Sequence, residues 1–270
     1  MNRILKRNFP LSTLACVISA FALQAQAQQQ TQLEEVIVTA QKREQAIVDV
    51  PMTISSMDSD TLNELGIDRF DSLSDLIPGL VVQQQSVNNN GYVIRGITSD
   101  DGSAPGAARV SVYLNGTDVS RSRASYFEVY DMERVEVVKG PQATLFGTAA
   151  SIGAMSFITA KPQQDFASSL TVGAGNYDMR KLEGMVTGGN EILQGRLAFT
   201  TRERAGYVEN TSGEEDLNGY EREAFRPSLR ITPSDDLTID LVYNHDKASD
   251  PGTAFVNQSV LFTDQAALSV

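Results

Sequence analysis

Among the 270 residues there is one histidine, His245, and one cysteine, Cys16. A nucleophilic triad that uses histidine could be built only through His245, which falls inside an alternating apolar and polar run. Zinc and other soft metals lack a ligand cluster. No nucleophile elbow and no phosphate-cradling glycine loop occurs. These absences set aside a periplasmic enzyme as the function class, and no catalytic residue, metal ligand or cofactor is assigned. What remains is recognition chemistry. Leu33-Glu34-Glu35-Val36-Ile37-Val38-Thr39-Ala40 is a short segment rich in branched residues, with a glutamine tract before it and Gln41-Lys42-Arg43-Glu44 after it. Such a strand must pair with something: either it opens the domain's own sheet, or it is left free to add to the sheet edge of a partner. Arg95 and Lys139 sit at the ends of predicted strands, where a cation either meets an acid of another layer or stays solvated.

The elements that must position these groups follow from composition and pattern. Arg3, Lys6 and Arg7, the mostly apolar run from Leu11 to Leu23 and the small-x-small triplet Ala25-Gln26-Ala27 predict a secretory signal over residues 1–27. Thr13-Leu14-Ala15-Cys16 leaves a lipoprotein signal as the sharper alternative, but the apolar run continues past the cysteine. Without residues 1–27 the chain keeps 34 acidic residues against 19 basic and has no cysteine. Nucleic acid is excluded as a partner by that charge, and a disulfide framework by that count. Gln28 to Gln32 cannot bury anything and act as a leash.

From Val50 to Pro162 strand and helix signals alternate, as in an α+β domain. Met52–Met57 is a strand candidate. Thr61-Leu62-Asn63-Glu64 has capping-box spacing, with Gly66 as the stop. A second short helix starts near Asp71 or Ser72, turns Leu73, Leu76 and Ile77 to one side, and ends at Pro78-Gly79. Extended structure resumes at Leu80–Val82. Ser86–Gly91 and Ser99–Gly106 read as exposed loops, and the polar, turn-rich segment from Ser86 to Gly106 is the best candidate to touch a ligand. Val110–Leu114 meets Asn115-Gly116, a dipeptide that favours a tight hairpin, with Thr117–Val119 returning. Val135–Lys139 is broken by Gly140-Pro141, and Phe157–Thr159 comes last. Beyond Pro162 the texture changes to dyad runs of about ten residues: Ser168–Gly173, Arg180–Thr187, Gly195–Arg204, Arg222–Thr232 and Leu237–Asp246. Leu197, Phe199 and Thr201 share one face and Arg196, Thr200 and Arg202 the other. Apolar outward and polar inward is the pattern of a transmembrane barrel strand, although a soluble sandwich strand alternates too.

These residues, taken in order, resemble the TonB-dependent outer-membrane receptor family over nearly the whole chain after residue 27. Leu33–Ala40 is similar to the TonB box and DVPMTISSM (Asp49–Met57) to the opening of the plug. LSDLIPGLVV, YVIRGI and VYLNG follow, and then ERVEVVKGPQATLFG (Glu133–Gly147), the most specific run. GAMSFITAKP (Gly153–Pro162) is similar to the closing strand of the plug. Lys139 stands where the family usually has arginine and Ala143 where it has glycine, and Thr148 and Ala149 depart as well. The resemblance implies an α+β plug followed by the first antiparallel strands of a transmembrane β-barrel. Its bounds are a signal at 1–27, a leash with the TonB box at 28–48, the plug at 49–162 and barrel strands from 163 onward. It marks Arg95, Gly96, Asn115, Gly116, Glu133, Arg134, Lys139, Gly140, Pro141 and Gly147 as plug-motif residues, with Arg95 and Lys139 as candidate locks against the barrel wall. The implied partners are TonB of the inner-membrane energy complex, outer-membrane lipid and a nutrient ligand, with ferric siderophore as the default. The 108 residues from 163 to 270 suffice for about five of the roughly 22 strands of a plugged transporter, so the barrel is expected to be incomplete in this chain. The competing readings are an exported binding receptor that is not energised and a non-functional fragment.

Overall fold

A computed structural model describes residues 37–39, 43, 45–86, 89–98, 109–120, 127–147, 149–210 and 215–252. The expected signal, the glutamine leash, Leu33–Val36 and Ala40 of the TonB box, the loop at Ser99–Gly106 and the chain end lie outside the described residues. Among those described, no helix is long and apolar enough to cross a membrane.

Sixteen strands, three short α-helices and one 3-10 turn (Ile47–Asp49) make up the described elements. β1 (Ile37–Val38) and β2 (Gln45–Ala46) form a two-stranded antiparallel ribbon. The central sheet contains β3 (Ile54–Asp58), β7 (Val110–Leu114), β8 (Thr117–Asp118), β9 (Met132–Lys139) and β10 (Gly153–Thr159) in the order β3-β9-β10-β7-β8. β10 runs parallel to β7 and antiparallel to β9. A second sheet has β5 (Asn89–Ile94) between β4 (Leu80–Ser86) and β6 (Ile97–Thr98).

The apolar core lies under the central sheet and joins both sheets to the helices α1 (Ser59–Glu64) and α2 (Leu73–Leu76). Phe157 is fully buried at its centre. Its ring centroid is 4.7 Å from that of Phe70 and 5.0 Å from that of Phe127, with the second pair edge to face. On the opposite face, α3 (Ala143–Phe146) packs Phe146 against Tyr113, whose hydroxyl donates to the Phe146 carbonyl at 2.8 Å.

Two sequence expectations are corrected here. α1 starts earlier than its capping-box spacing implied, because the Asp58 carboxylate, not Thr61, caps it and accepts the Thr61 N–H at 2.8 Å. The expected loop at Ser86–Gly91 is largely strand: the β4–β5 ladder pairs Gln83 with Gly91 and reaches Ser86 opposite Asn89. Cross-strand pairing there overrides the turn preference of Asn89-Asn90-Gly91. The Asn115-Gly116 turn forms as its composition predicts, with φ of 49° and 79°. The Asn115 side chain then clips the turn to β10, accepting the Thr159 N–H at 2.9 Å.

After Pro162 the chain forms one antiparallel meander: β11 (Ala167–Gly175), β12 (Met179–Gly189), β13 (Leu193–Arg204), β14 (Tyr220–Ser234), β15 (Leu237–Val242) and β16 (His245–Ser249). β15 and β16 both pair with β14, and between them the Tyr243 N–H donates to the Pro227 carbonyl at 3.1 Å. They are one interrupted strand, so the five alternating runs read from the sequence correspond to five spans.

Candidate functional site

The meander is inverted relative to a soluble sheet. Along β13 the residues Gln194, Arg196, Ala198, Thr200 and Arg202 are buried, whereas Leu197 is 43% exposed. On β14, Arg222, Ala224, Arg226 and Ser228 are buried and Phe225 is exposed. The other face carries exposed Leu170, Val172, Val186, Leu193, Ile239, Leu241 and Tyr243. A band of that kind suits hydrocarbon, and the polar face needs a partner with matching charges.

That partner is the segment that leads into β9. In Phe127-Glu128-Val129-Tyr130-Asp131-Met132, the extended backbone sends Phe127, Val129 and Met132 into the apolar core. Glu128, Tyr130 and Asp131 turn to the meander. The Asp131 carboxylate accepts from Arg196 Nε at 2.9 Å. Glu128 lies between Arg202, which it contacts through Oε2, and Arg222, whose Nε is 3.3 Å from Oε1. The Arg226 guanidinium sits 4.3 Å from the centroid of the Tyr130 ring and donates to the Tyr130 carbonyl at 3.1 Å. From the loop after α1, Asp68 pairs with Arg202 at 2.8 Å and with Lys181 at 3.3 Å.

Burial sets the electrostatics of this seam. Burial pushes the Glu128 carboxyl up, and Arg202 and Arg222 only partly offset that push. Tyr130 is raised for the same leading reason. At Asp68 burial also acts upward, but Arg202 and Lys181 together outweigh it and hold the carboxyl below its ordinary value. Removing one partner from a buried pair of this kind costs about 3–5 kcal/mol, because the other charge is stranded.

The plug-motif residues divide into two groups. Glu133 and Arg134 are brought to the TonB-box segment. Arg134 pairs with Glu133 and, through Nε at 2.8 Å, with Glu136 Oε1. The same Oε1 accepts the Thr39 N–H at 2.8 Å and the Thr39 hydroxyl at 3.1 Å. Val38 is fully buried. Ile37–Thr39, the described part of the expected TonB box, is therefore not a strand of the central sheet: it pairs with β2 and is hydrogen-bonded to β9.

The second group forms turns. Arg95 and Gly96, with φ of 53° and 80°, make the β5–β6 turn, and Gly140 and Gly147 have φ of 113° and 81° on either side of α3. Pro141 is exposed there. The Arg95 side chain passes Gly79 and Gly140. Lys139 is lowered first by burial and then by the neighbouring Arg95 charge. These two candidate locks thus stand beside each other; among the described residues the ion pairs between the plug and the meander are made by acids on the plug with arginines and Lys181 on the strands. The sequence reading missed Asp68, Glu128, Tyr130 and Asp131. Its available signal was the arginines at dyad spacing, 196 and 202 on one strand and 222 and 226 on the next.

An α+β domain seated by ion pairs on the polar face of an inside-out meander defines the class: a plug domain with strands of an outer-membrane β-barrel, forming an open sheet. Residues 46–154 match the TonB-dependent Receptor Plug Domain. The chain thus carries a plug domain of the kind found in TonB-dependent receptors. It is 26% identical to the ferric aerobactin receptor of Klebsiella pneumoniae over 67% of this chain and 25% of that protein. It is likewise 26% identical to the hemin receptor of Yersinia enterocolitica over 96% of this chain and 40% of that one. Among solved structures, the ferric yersiniabactin uptake receptor from Yersinia pestis superposes with a TM-score of 0.62 at 22% identity, covering 68% of this chain and 29% of that chain. The ferripyoverdine receptor of the outer membrane of Pseudomonas aeruginosa gives 0.66 at 16%, covering 79% and 27%. The chain thus spans between 25% and 40% of the length of these two curated relatives.

Proposed function

We propose that this protein is a TonB-dependent receptor for energised uptake of a nutrient across the outer membrane, with a ferric siderophore as the default ligand. The chain supplies a signal (1–27), the coupling segment (28–48), the plug (49–162) and the first barrel strands (from 163). The meander lies in lipid with its apolar face outward. Its short turns, at 190–192 and 235–236, face the periplasm, and the longer connection at 205–219 faces outside, following the usual asymmetry of such barrels.

The observation that carries this reading is the pinning of Thr39. The coupling segment is held outside the central sheet by a two-residue ribbon, the buried Val38 side chain and the Glu136–Arg134 pair at Thr39, contacts that a competing strand can replace. TonB adds as a strand to Leu33–Ala40, where backbone hydrogen bonds resist a pull along the strand. The pull passes through Asp49 to β3, which is the edge strand of the central sheet and bonded on one side only. Part of the plug is thereby remodelled.

Ile37→Pro tests the assignment, since it removes a backbone donor from the box. In cells that depend on this receptor for iron, uptake of a radiolabelled ferric siderophore is expected to be lost while surface binding of the same compound persists. Persistent uptake would show that the box lies elsewhere.

A further inference from the structure

The outward face of the meander changes character toward one end of its strands. Gly184, Phe199, Phe225 and His245, on four strands side by side, share one register row on that face. The Phe199 ring lies on Gly184, where an added Cβ would meet it at 2.7 Å, and the Phe225 and His245 rings stand 4.9 Å apart. A ring-bearing row of this kind marks the edge of the hydrocarbon. Four residues further along each strand, the same face carries the row Arg180, Glu203, Glu221 and Ser249. That offset is about 14 Å along the strands and about 10 Å along the membrane normal at the usual tilt, which places the second row in the polar layer.

The whole second row lines one cavity of about 680 Å³, together with residues of the 205–219 connection. Arg202 and Arg222, which point inward and hold the plug, are not among its lining residues, so the cavity is separate from the seam. Its chemistry restricts what can enter. Carboxylates outnumber guanidinium groups in the lining, and both guanidinium groups are engaged. Arg180 pairs with Glu203 at 3.3 Å. Arg204 lies between the Tyr207 and Tyr220 rings, 5.0 and 4.9 Å from their centroids, and donates to the Asn218 carbonyl at 3.1 Å. A bare phosphate would meet acids with no free cation to hold it. An acyl chain would strand the same acids without water. Glu221 stands directly opposite Ser249 and has no ion pair among the described residues. Acceptor oxygens beside a hydroxyl suit a ligand that brings several O–H donors, and a cavity of this size takes more than one such group.

We propose that this cavity receives the saccharide part of an outer-leaflet glycolipid, with Glu221 and Ser249 bonding its hydroxyls. The proposal rests on the reading that the 205–219 connection faces outside. The acyl chains of the same molecule run down the exposed band past Leu182 and Val186, the outward residues below Arg180 on β12.

The test uses the full-length product of the gene, purified from its own outer membrane in a mild detergent, with bound lipid counted by native mass spectrometry. The probes are rough-type lipopolysaccharide, the oligosaccharide cleaved from it, phosphatidylglycerol and phosphatidylethanolamine. Lipopolysaccharide is expected to bind about tenfold more tightly than either phospholipid. Glu221→Leu and Ser249→Phe are each expected to weaken it about tenfold, equivalent to about 1.4 kcal/mol. Both positions are exposed, so neither change endangers the fold. The free oligosaccharide is expected to compete, and lipopolysaccharide binding that it leaves untouched overturns the saccharide assignment. Equal binding of phosphatidylethanolamine overturns it in favour of an amine headgroup. Orientation is read separately from Glu209→Cys, an exposed position in the same connection, with an impermeant maleimide on intact cells. Labelling is expected there, and protection overturns the outward orientation and the site with it. Labelling together with unchanged lipopolysaccharide affinity in both variants overturns the site alone and leaves the uptake reading standing.

Discussion

The central sheet of the plug and the meander behind it obey the same period-two geometry and bury opposite sets of residues. In β9 and β10, Val135, Val137, Met155 and Phe157 go inward and are covered by other apolar side chains. In β13 and β14 the inward positions are Arg196, Arg202, Arg222 and Arg226, and the leucines are left outside. Alternation fixes which residues share a face, but the surroundings decide which face is buried. One region is organised by exclusion of water from hydrocarbon, the other by a match of charge across a seam.

That contrast can be broken at either side. Phe157→Ala removes the ring at the centre of the plug core and is expected to cost about 3–5 kcal/mol, read as lost amide-exchange protection along β9 and β10 in the detergent-solubilised protein. Leu241→Arg, in the middle of the outward band, should destabilise the protein by about 2–4 kcal/mol in a bilayer. Reversible unfolding in phospholipid vesicles measures this, and a neutral result would indicate that the face is not in lipid. Glu128→Ala is expected to cost less, about 1–3 kcal/mol, because Arg202 and Arg222 lose their shared carboxylate but keep Asp68 and Asp250. Exchange should then rise at residues 127–131 while the core around Phe157 stays protected. Equal loss at both places would mean that seam and core are one unit.

The smallest effect concerns a helix end, where Asp58→Ala should cost about 1 kcal/mol. The Thr61 N–H, accepted by the Asp58 carboxylate, holds that carboxyl below its ordinary value, with the Thr61 hydroxyl acting in the same direction. A folded value below the unfolded one gives stability that is present above the unfolded value and lost as pH falls through the folded one. Protection of the Thr61 amide should therefore decline between about pH 5 and about pH 2, and should be indifferent to pH in Asp58→Ala.

Much of this architecture was legible because local chemistry suffices for it. Asn115-Gly116 needs positive φ at both positions and turns where it stands; α2 stops at Leu76, just before Pro78-Gly79; the dyad runs after Pro162 are strands at nearly the limits that their alternation marks. What was not legible depends on residues far apart in the chain. Glu128 and Arg202 have no local pattern in common, and nothing near Glu136 announces that Thr39 will lie on it. Asn89-Asn90-Gly91 carries a turn signal that only the opposing strand overrules. The candidate lock residues Arg95 and Lys139 were singled out by position at strand ends, a property that says nothing about whether an acid lies opposite.

The attachment of Thr39 to Glu136 has one more consequence. Glu136 belongs to β9, and β9 continues back, without a turn into another element, to Asp131 and the side chains that grip the arginines of the wall. Glu136 and Asp131 are thus joined by one stretch of chain, strand as far as Met132 and bent at Asp131, where φ is 49°. A load on Thr39 would cross to β9 only through the hydrogen bonds to Glu136, and from Glu136 to Asp131 through the covalent chain.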